Sequence, residues 1–123
     1  MSRLIKFRAW DGKYMIEWGF IGDSFAGPPS TNRGSFSTMK HMQFTGLHDK
    51  NGKEIFDGDV LKLDRYWQDH FNQETSVVFF HEGAFRLQHC LAQETAYTLS
   101  VVGSESEVIG NIYENPELLE FFM

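Results

Sequence analysis

The chain predicts a mainly β fold of short, strongly bent strands, and three observations predict it. Apolar and polar residues alternate over short runs, the period-two pattern of half-buried strands. The runs are punctuated by Asp11-Gly12, Asn51-Gly52, Asp57-Gly58 and Glu82-Gly83, pairs in which glycine tolerates the positive φ that tight reversals require. A helix-start signal is read only near the C-terminus.

Leu4 to Trp10 reads as the first strand, with Ile5, Phe7 and Ala9 on one face and Lys6 and Arg8 on the other. Gly12 turns it into Tyr14 to Trp18, completing an N-terminal hairpin. Residues 19–38 hold Gly22, Gly27, Pro28, Pro29, Ser30, Thr31, Asn32, Gly34, Ser35 and Ser37, too poor in periodic apolar residues for a sheet. They are expected to form a long loop, parts of which Phe20, Phe25 and Phe36 pack down.

Met42 to Thr45 is a short extended segment, and Asp49-Lys50-Asn51-Gly52 is turn chemistry. Lys53 to Phe56 is brief and extended, Asp57-Gly58-Asp59 turns again, and Val60 to Leu63 resumes as a strand. Two tight turns around so short a strand resemble the start of an SH3-like barrel. Residues 64–75 are polar with isolated aromatics (Tyr66, Trp67, Phe71) and read as loop. Ser76 to His81 and Ala84 to His89 make the clearest hairpin, turned at Gly83. β-branched and aromatic content assigns Thr95 to Val102 to a strand, and Glu107 to Tyr113 to another. Asn115 is a preferred N-cap, Pro116 fits the first helical position and Glu117 complements the dipole. The resulting C-terminal helix is too short to hold itself, so Leu118, Leu119, Phe121, Phe122 and Met123 must dock on this subunit or another.

With 123 residues the chain fits a single domain over 1–123, or two intimately packed lobes, 1–41 and 42–123. Net charge is −6, but residues 1–13 carry +3 and the remaining 110 carry −9. An acidic total disfavours non-specific nucleic-acid binding, which depends on Lys and Arg displacing counterions. The basic strand has three readings: a solvated face, contact of Lys6 and Arg8 with an anion, or pairing with a neighbouring subunit. Cys90 is the only cysteine, so no intramolecular disulfide forms and a reducing compartment is expected. Arg3, Lys6 and Arg8 break any signal-peptide core, and no apolar run approaches the roughly 20 residues of a bilayer span. A cytoplasmic, membrane-free protein is the expectation.

Candidate chemistry is sparse. Asp57 and Asp59 flank Gly58, so one turn presents two carboxylates near Glu54 and Asp64. They fit a hard-cation site or an acid/base pair, but the further oxygens of a calcium loop are missing, and turn architecture accounts for them. His41, His48, His70, His81, His89 and Cys90 show no C-x-x-C or H-E-x-x-H spacing. Cys90 reads as a small apolar residue. Phosphate-loop, dinucleotide and nucleophile-elbow motifs are absent, and Gly46, Gly52 and Gly58 do not lead into helices. Trp10, Trp18, Tyr66 and Trp67 suit either a stacking platform or packing, and the scarcity of basic residues favours packing. No catalytic residue, metal ligand or cofactor is predicted.

Two phrases stand out by their spacing: Met42-Gln43-Phe44-Thr45-Gly46-Leu47-His48-Asp49-Lys50-Asn51-Gly52-Lys53-Glu54-Ile55-Phe56-Asp57-Gly58-Asp59-Val60, and Glu107-Val108-Ile109-Gly110-Asn111-Ile112-Tyr113-Glu114-Asn115-Pro116-Glu117-Leu118-Leu119. With the opening Ile5-Lys6-Phe7-Arg8-Ala9-Trp10-Asp11, they resemble the YopX family of small phage and prophage proteins. The resemblance implies a mostly β, SH3-like or barrel-like body, a phage or prophage origin, and no established catalytic residues. Residues 19–38 depart from the family pattern. Excess aromatic surface and the apolar C-terminus point to a non-enzymatic, homo-oligomeric interaction module with host or phage protein partners. Its expected contact involves Ile112, Tyr113, Leu118, Leu119, Phe121 and Phe122. The alternatives are a nucleic-acid-associated phage factor using Lys6 and Arg8 and, below it, a small metal-dependent hydrolase using Asp57 and Asp59. Gly12, Asn51, Gly52, Asp57, Gly58, Asp59 and Gly83 are expected to shape turns.

Overall fold

The alternating runs and their glycine turns assemble into two antiparallel sheets. The computed structural model describes residues 5–21, 24–27, 29–81, 83–88 and 99–118. The first sheet takes β1 (Lys6–Trp10), β2 (Met15–Ile21), β3 (Ser24–Ala26), β4 (Lys40–His48) and β5 (Glu54–Phe56), in the order β3-β2-β1-β4-β5. The second takes β6 (Asp59–Lys62), β7 (Thr75–His81), β8 (Ala84–Gln88) and β9 (Glu107–Asn111), in the order β8-β7-β6-β9. The mainly β class holds. The described strands form two open sheets rather than one closed barrel.

The boundary at 41/42 falls inside β4, so it separates no lobes. The nine residues of β4 extend well beyond the expected Met42 to Thr45. β4 pairs on one side with β1 (Phe7 opposite Gln43) and on the other with β5, across an irregularity between Phe44 and His48. Gly46 lies inside that irregularity with φ of +88°, a backbone an L side chain rarely adopts.

Residues 64–75 are not a loop. Asp64 accepts the amide of Tyr66 and starts α1 (Arg65–Phe71), and Asn72 ends it in the left-handed region. Trp67 and Phe71, four apart, share the buried face, so an otherwise marginal helix is held by docking. Leu99–Val102 is not strand either: Leu99–Gly103 forms α2, burying Leu99 and Val102. The Ser106 hydroxyl donates to Val102 O at 2.6 Å. Burial against Ile55 and the second sheet overrides the β propensity of this segment. Residues 95–98 lie outside the described residues. The supposed loop 19–38 contributes the end of β2 and all of β3, with Phe20 paired to Phe25. Thr31 Oγ1 donates to Asp11 at 2.8 Å, tying the segment to the first turn. At the C-terminus, residues 116–118 make a 3₁₀ turn opened by Asn115, whose carbonyl accepts Leu118 N at 3.0 Å. Leu119, Phe121 and Phe122, like His89 and Cys90, lie outside the described residues.

The main core joins Ile55, Leu61, Leu63, Trp67, Phe71, Val78, Leu87, Leu99, Val102 and Val108. A smaller cluster of Met42, Phe44 and Phe56, flanked by Met15 and Tyr113, lies under the first sheet. The Lys6/Arg8 face of β1 covers this cluster, which overturns its reading as a solvated face. Lys6 Nζ sits 5.5 Å from the Phe44 ring centre and the Arg8 guanidinium 4.3 Å from that of Phe56. Both side chains are only 13% exposed.

Candidate functional site: two carboxylate turns and the cleft beside them

The two conspicuous phrases of the sequence meet in space: Asp49 makes one joint through its side chain, and Gly58 makes the other through its backbone. Asp49 opens the turn between β4 and β5. Its Oδ1 accepts Asn51 N at 2.8 Å and Lys53 N at 2.9 Å. Its Oδ2 accepts Val108 N, at 2.9 Å, from a residue 59 positions later in β9. Lys50 N adds a bond to Ser106 O at 3.0 Å. Burial pushes this carboxyl up, but the amides of Val108, Lys53 and Asn51 and the charge of Lys53 outweigh it and hold the carboxyl below the ordinary range.

The second joint is the Asp57-Gly58-Asp59 turn between β5 and β6. Gly58 has φ of +91°, donates to Val78 O at 2.7 Å and accepts from Ile112 N at 2.9 Å. An added Cβ would lie 3.2 Å from Met42 Sδ. Asp57 accepts Gln43 N through its side chain and donates its own amide to Gln43 O at 3.0 Å. Asp59 is fully buried, accepts Phe56 N at 2.8 Å and forms an ion pair with Arg8. Burial pushes its carboxyl up to about 6 against the opposing pull of Arg8 and of the Phe56 amide. Burial also raises Asp57, and the phenol of Tyr113 is raised by burial and then by the charge of Asp57.

The other sequence-predicted residues fall into place around these joints. Arg8 is engaged by Asp59, and Lys6 by Glu54 at 2.6 Å. Both cations are used in ion pairs within the subunit. The left-handed region holds Gly12 (φ +104°), Gly52 (+82°) and Gly83 (+79°) as well as Gly58. Trp18 stacks on Phe7, 4.4 Å between ring centres, and donates Nε1 to His41 at 3.2 Å. Tyr66 and Trp67 pack instead within α1, so the four aromatics form no common platform. Ile112 and Tyr113 are half-buried beside the second joint, and Leu118 folds over Gly110, where an added Cβ would lie 2.9 Å from Leu118 Cδ1. Among the described residues no group of three or more His, Cys, Asp or Glu is arranged to hold a metal, and no helix is long and apolar enough to cross a membrane.

Beside the second joint opens a cleft of about 370 Å³ between Asp57-Gly58, β7, Gln88 and Ile112-Tyr113. Sequence reasoning missed this cleft, the Arg8–Asp59 pair and the Asp49–Val108 bond, since each joins residues far apart in the chain. The alternation of Lys6 and Arg8 on a strand was a signal: a cation on a strand face that meets another sheet must find an acid there.

No functionally curated protein matches this chain. Among solved structures, the crystal structure of protein EF1440 from Enterococcus faecalis is similar, with 29% sequence identity and a TM-score of 0.64 over 97% of this chain and 100% of that one. The family model described as YopX protein matches residues 24–120, a span that holds both phrases, both joints and the cleft. The chain belongs to the YopX protein family.

Proposed function

We propose that this protein is a phage- or prophage-encoded, non-enzymatic interaction module that works as a homo-oligomer in the bacterial cytoplasm. The origin is supported by the family and the compartment by the single cysteine. The observation that carries the interaction reading is the aromatic surface of the outermost hairpin. Phe20 and Phe25 pair across β2 and β3, 5.3 Å between ring centres, yet remain 46% and 61% exposed. They lie on a sheet edge whose last strand is three residues long and, among the described residues, pairs with β2 alone, with aromatic side chains side by side. A second copy of this chain is the occupant this edge suits, through strand addition with aromatic packing. The candidates for chemistry, Asp57 and Asp59, each accept a backbone amide at the turn between β5 and β6, which supports a non-enzymatic reading.

Light scattering on the intact chain at tens of micromolar tests this. A dimer or larger species is expected, with conversion to monomer in a Phe20→Ser, Phe25→Ser double variant that keeps its circular dichroism. A monodisperse monomer of the unsubstituted protein overturns the proposal.

A further inference from the structure

We propose that the cleft beside Asp57 and Tyr113 binds a small organic cation, an ammonium or guanidinium group carried on an apolar stem. At about 370 Å³ the cleft lies within the small-molecule range of roughly 300–1,000 Å³. Val77, Phe79 and Ile112 supply apolar walls, and the polar groups are the Asp57 carboxylate, the Tyr113 phenol and the Gln88 amide. Among the described residues no lysine or arginine lines it. Arg8 forms its ion pair with Asp59 and reaches Asp57 only through space.

Asp57 Oδ1 is occupied by the amide of Gln43. Among the described residues, the Asp57 carboxylate meets no hydrogen-bond donor beyond the amides of Gln43 and of Asp57 itself, and the Tyr113 hydroxyl makes no hydrogen bond. Asp57 and Tyr113 both line the cleft. The cleft therefore combines a formal negative charge, a second oxygen acceptor and an aromatic wall, with no bonded cation of its own. An incoming ammonium gains a charge-assisted hydrogen bond and contact with the Phe79 ring. An anion is repelled, and a neutral apolar group covers the carboxylate without partnering it. The cleft shares no residue with the β2–β3 edge and does not depend on self-association.

The test is an amide-shift NMR titration of the intact protein with phenethylamine, with phenylethanol as the neutral counterpart. Saturable shifts at residues 57–58, 77–79 and 112–113 are expected with a Kd of about 1 mM for the amine, and about tenfold weaker binding of the alcohol. Asp57→Asn keeps an oxygen for the Gln43 amide and should bring the amine down to the level of the alcohol. Tyr113→Phe should weaken the amine about threefold, and it decides the matter alone if the Asp57 variant does not fold. Equal binding of amine and alcohol, shifts elsewhere, no shift by about 10 mM, or full affinity in the variants overturns the proposal.

Discussion

Two turns eight residues apart in their leading aspartates, Asp49 and Asp57-Gly58-Asp59, both bond to the second phrase but satisfy their buried carboxylates by opposite means. Asp49 is satisfied by three backbone amides, from Asn51, Lys53 and Val108, and its carboxyl stays acidic despite burial. Asp59 has a full cation against it but one backbone amide, and its carboxyl rises to about 6. Arg8 is itself imperfectly satisfied, with Nε buried and unbonded among the described residues. The difference lies in depth as well as in partners: three amides and the charge of Lys53 outweigh the shallower burial of Asp49, whereas Arg8 and one amide do not offset the deeper burial of Asp59. Amides fixed in a turn need no desolvation of a second ion, whereas a buried pair removes two ions from water.

Removing the cation should have the largest effect. Arg8→Met leaves Asp59 buried and unpartnered, and about 3–5 kcal/mol of stability should be lost in urea denaturation at neutral pH. Adding Asp59→Asn should restore part of it, since no orphan charge remains. A loss below about 1 kcal/mol for Arg8→Met alone would mean that the pair is in effect a surface contact.

Acidity sharpens the contrast, because the two aspartates should respond with opposite sign. The Asp59 carboxyl is raised, so its contribution to stability is present below 3.8 and lost as pH rises through about 6. The Asp49 carboxyl is lowered, so its contribution is present above 3.8 and lost as pH falls further. Relative to the unsubstituted protein, the deficit of Asp59→Asn should therefore widen on acidification from pH 6 to 4, by on the order of 2–3 kcal/mol. The deficit of Asp49→Asn should be about 2 kcal/mol at neutral pH, hold steady to pH 4 and shrink below it. Parallel deficits across this range, from denaturation at each pH, would show that the two sites are not distinguished by how their charges are satisfied.

The smallest effect compares the glycines of the two turns. Gly52 and Gly58 share the left-handed backbone, but a Cβ at Gly52 meets nothing within 4 Å while one at Gly58 presses on Met42. Gly52→Ala should cost about 1 kcal/mol from backbone strain alone. Gly58→Ala should cost about 1 kcal/mol more for the crowding. Equal losses in thermal denaturation would mean that Met42 yields without cost.

Local readings succeeded where one interaction dominates over a few residues. The N-terminal hairpin, the 75–88 hairpin and the glycine turns follow from alternation and from positive φ, which neighbouring residues determine by themselves. The two helices were missed for different reasons. α1 carried its own signals in Asp64, the Trp67/Phe71 spacing and Asn72, masked by a polar composition. α2 contradicts the propensity of Leu99 to Val102 and exists because Leu99 and Val102 are drawn into the core. The same division runs through the site. That Asp49, Asp57 and Asp59 turn the chain was legible; which amide or cation each one meets was not.

By itself, the sequence determined the strand class, the turn positions, the acidic body with its basic first strand, and the family, because periodicity, glycine freedom and charge are properties of neighbours in the chain. Only the tertiary structure decided that Lys6 and Arg8 face inward, that Asp49 reaches Val108, and that Asp57 and Tyr113 share a cleft. Those outcomes depend on which distant segments the two sheets bring together. A buried charge takes the nearest partner that packing provides, and sequence separation does not limit which one that is.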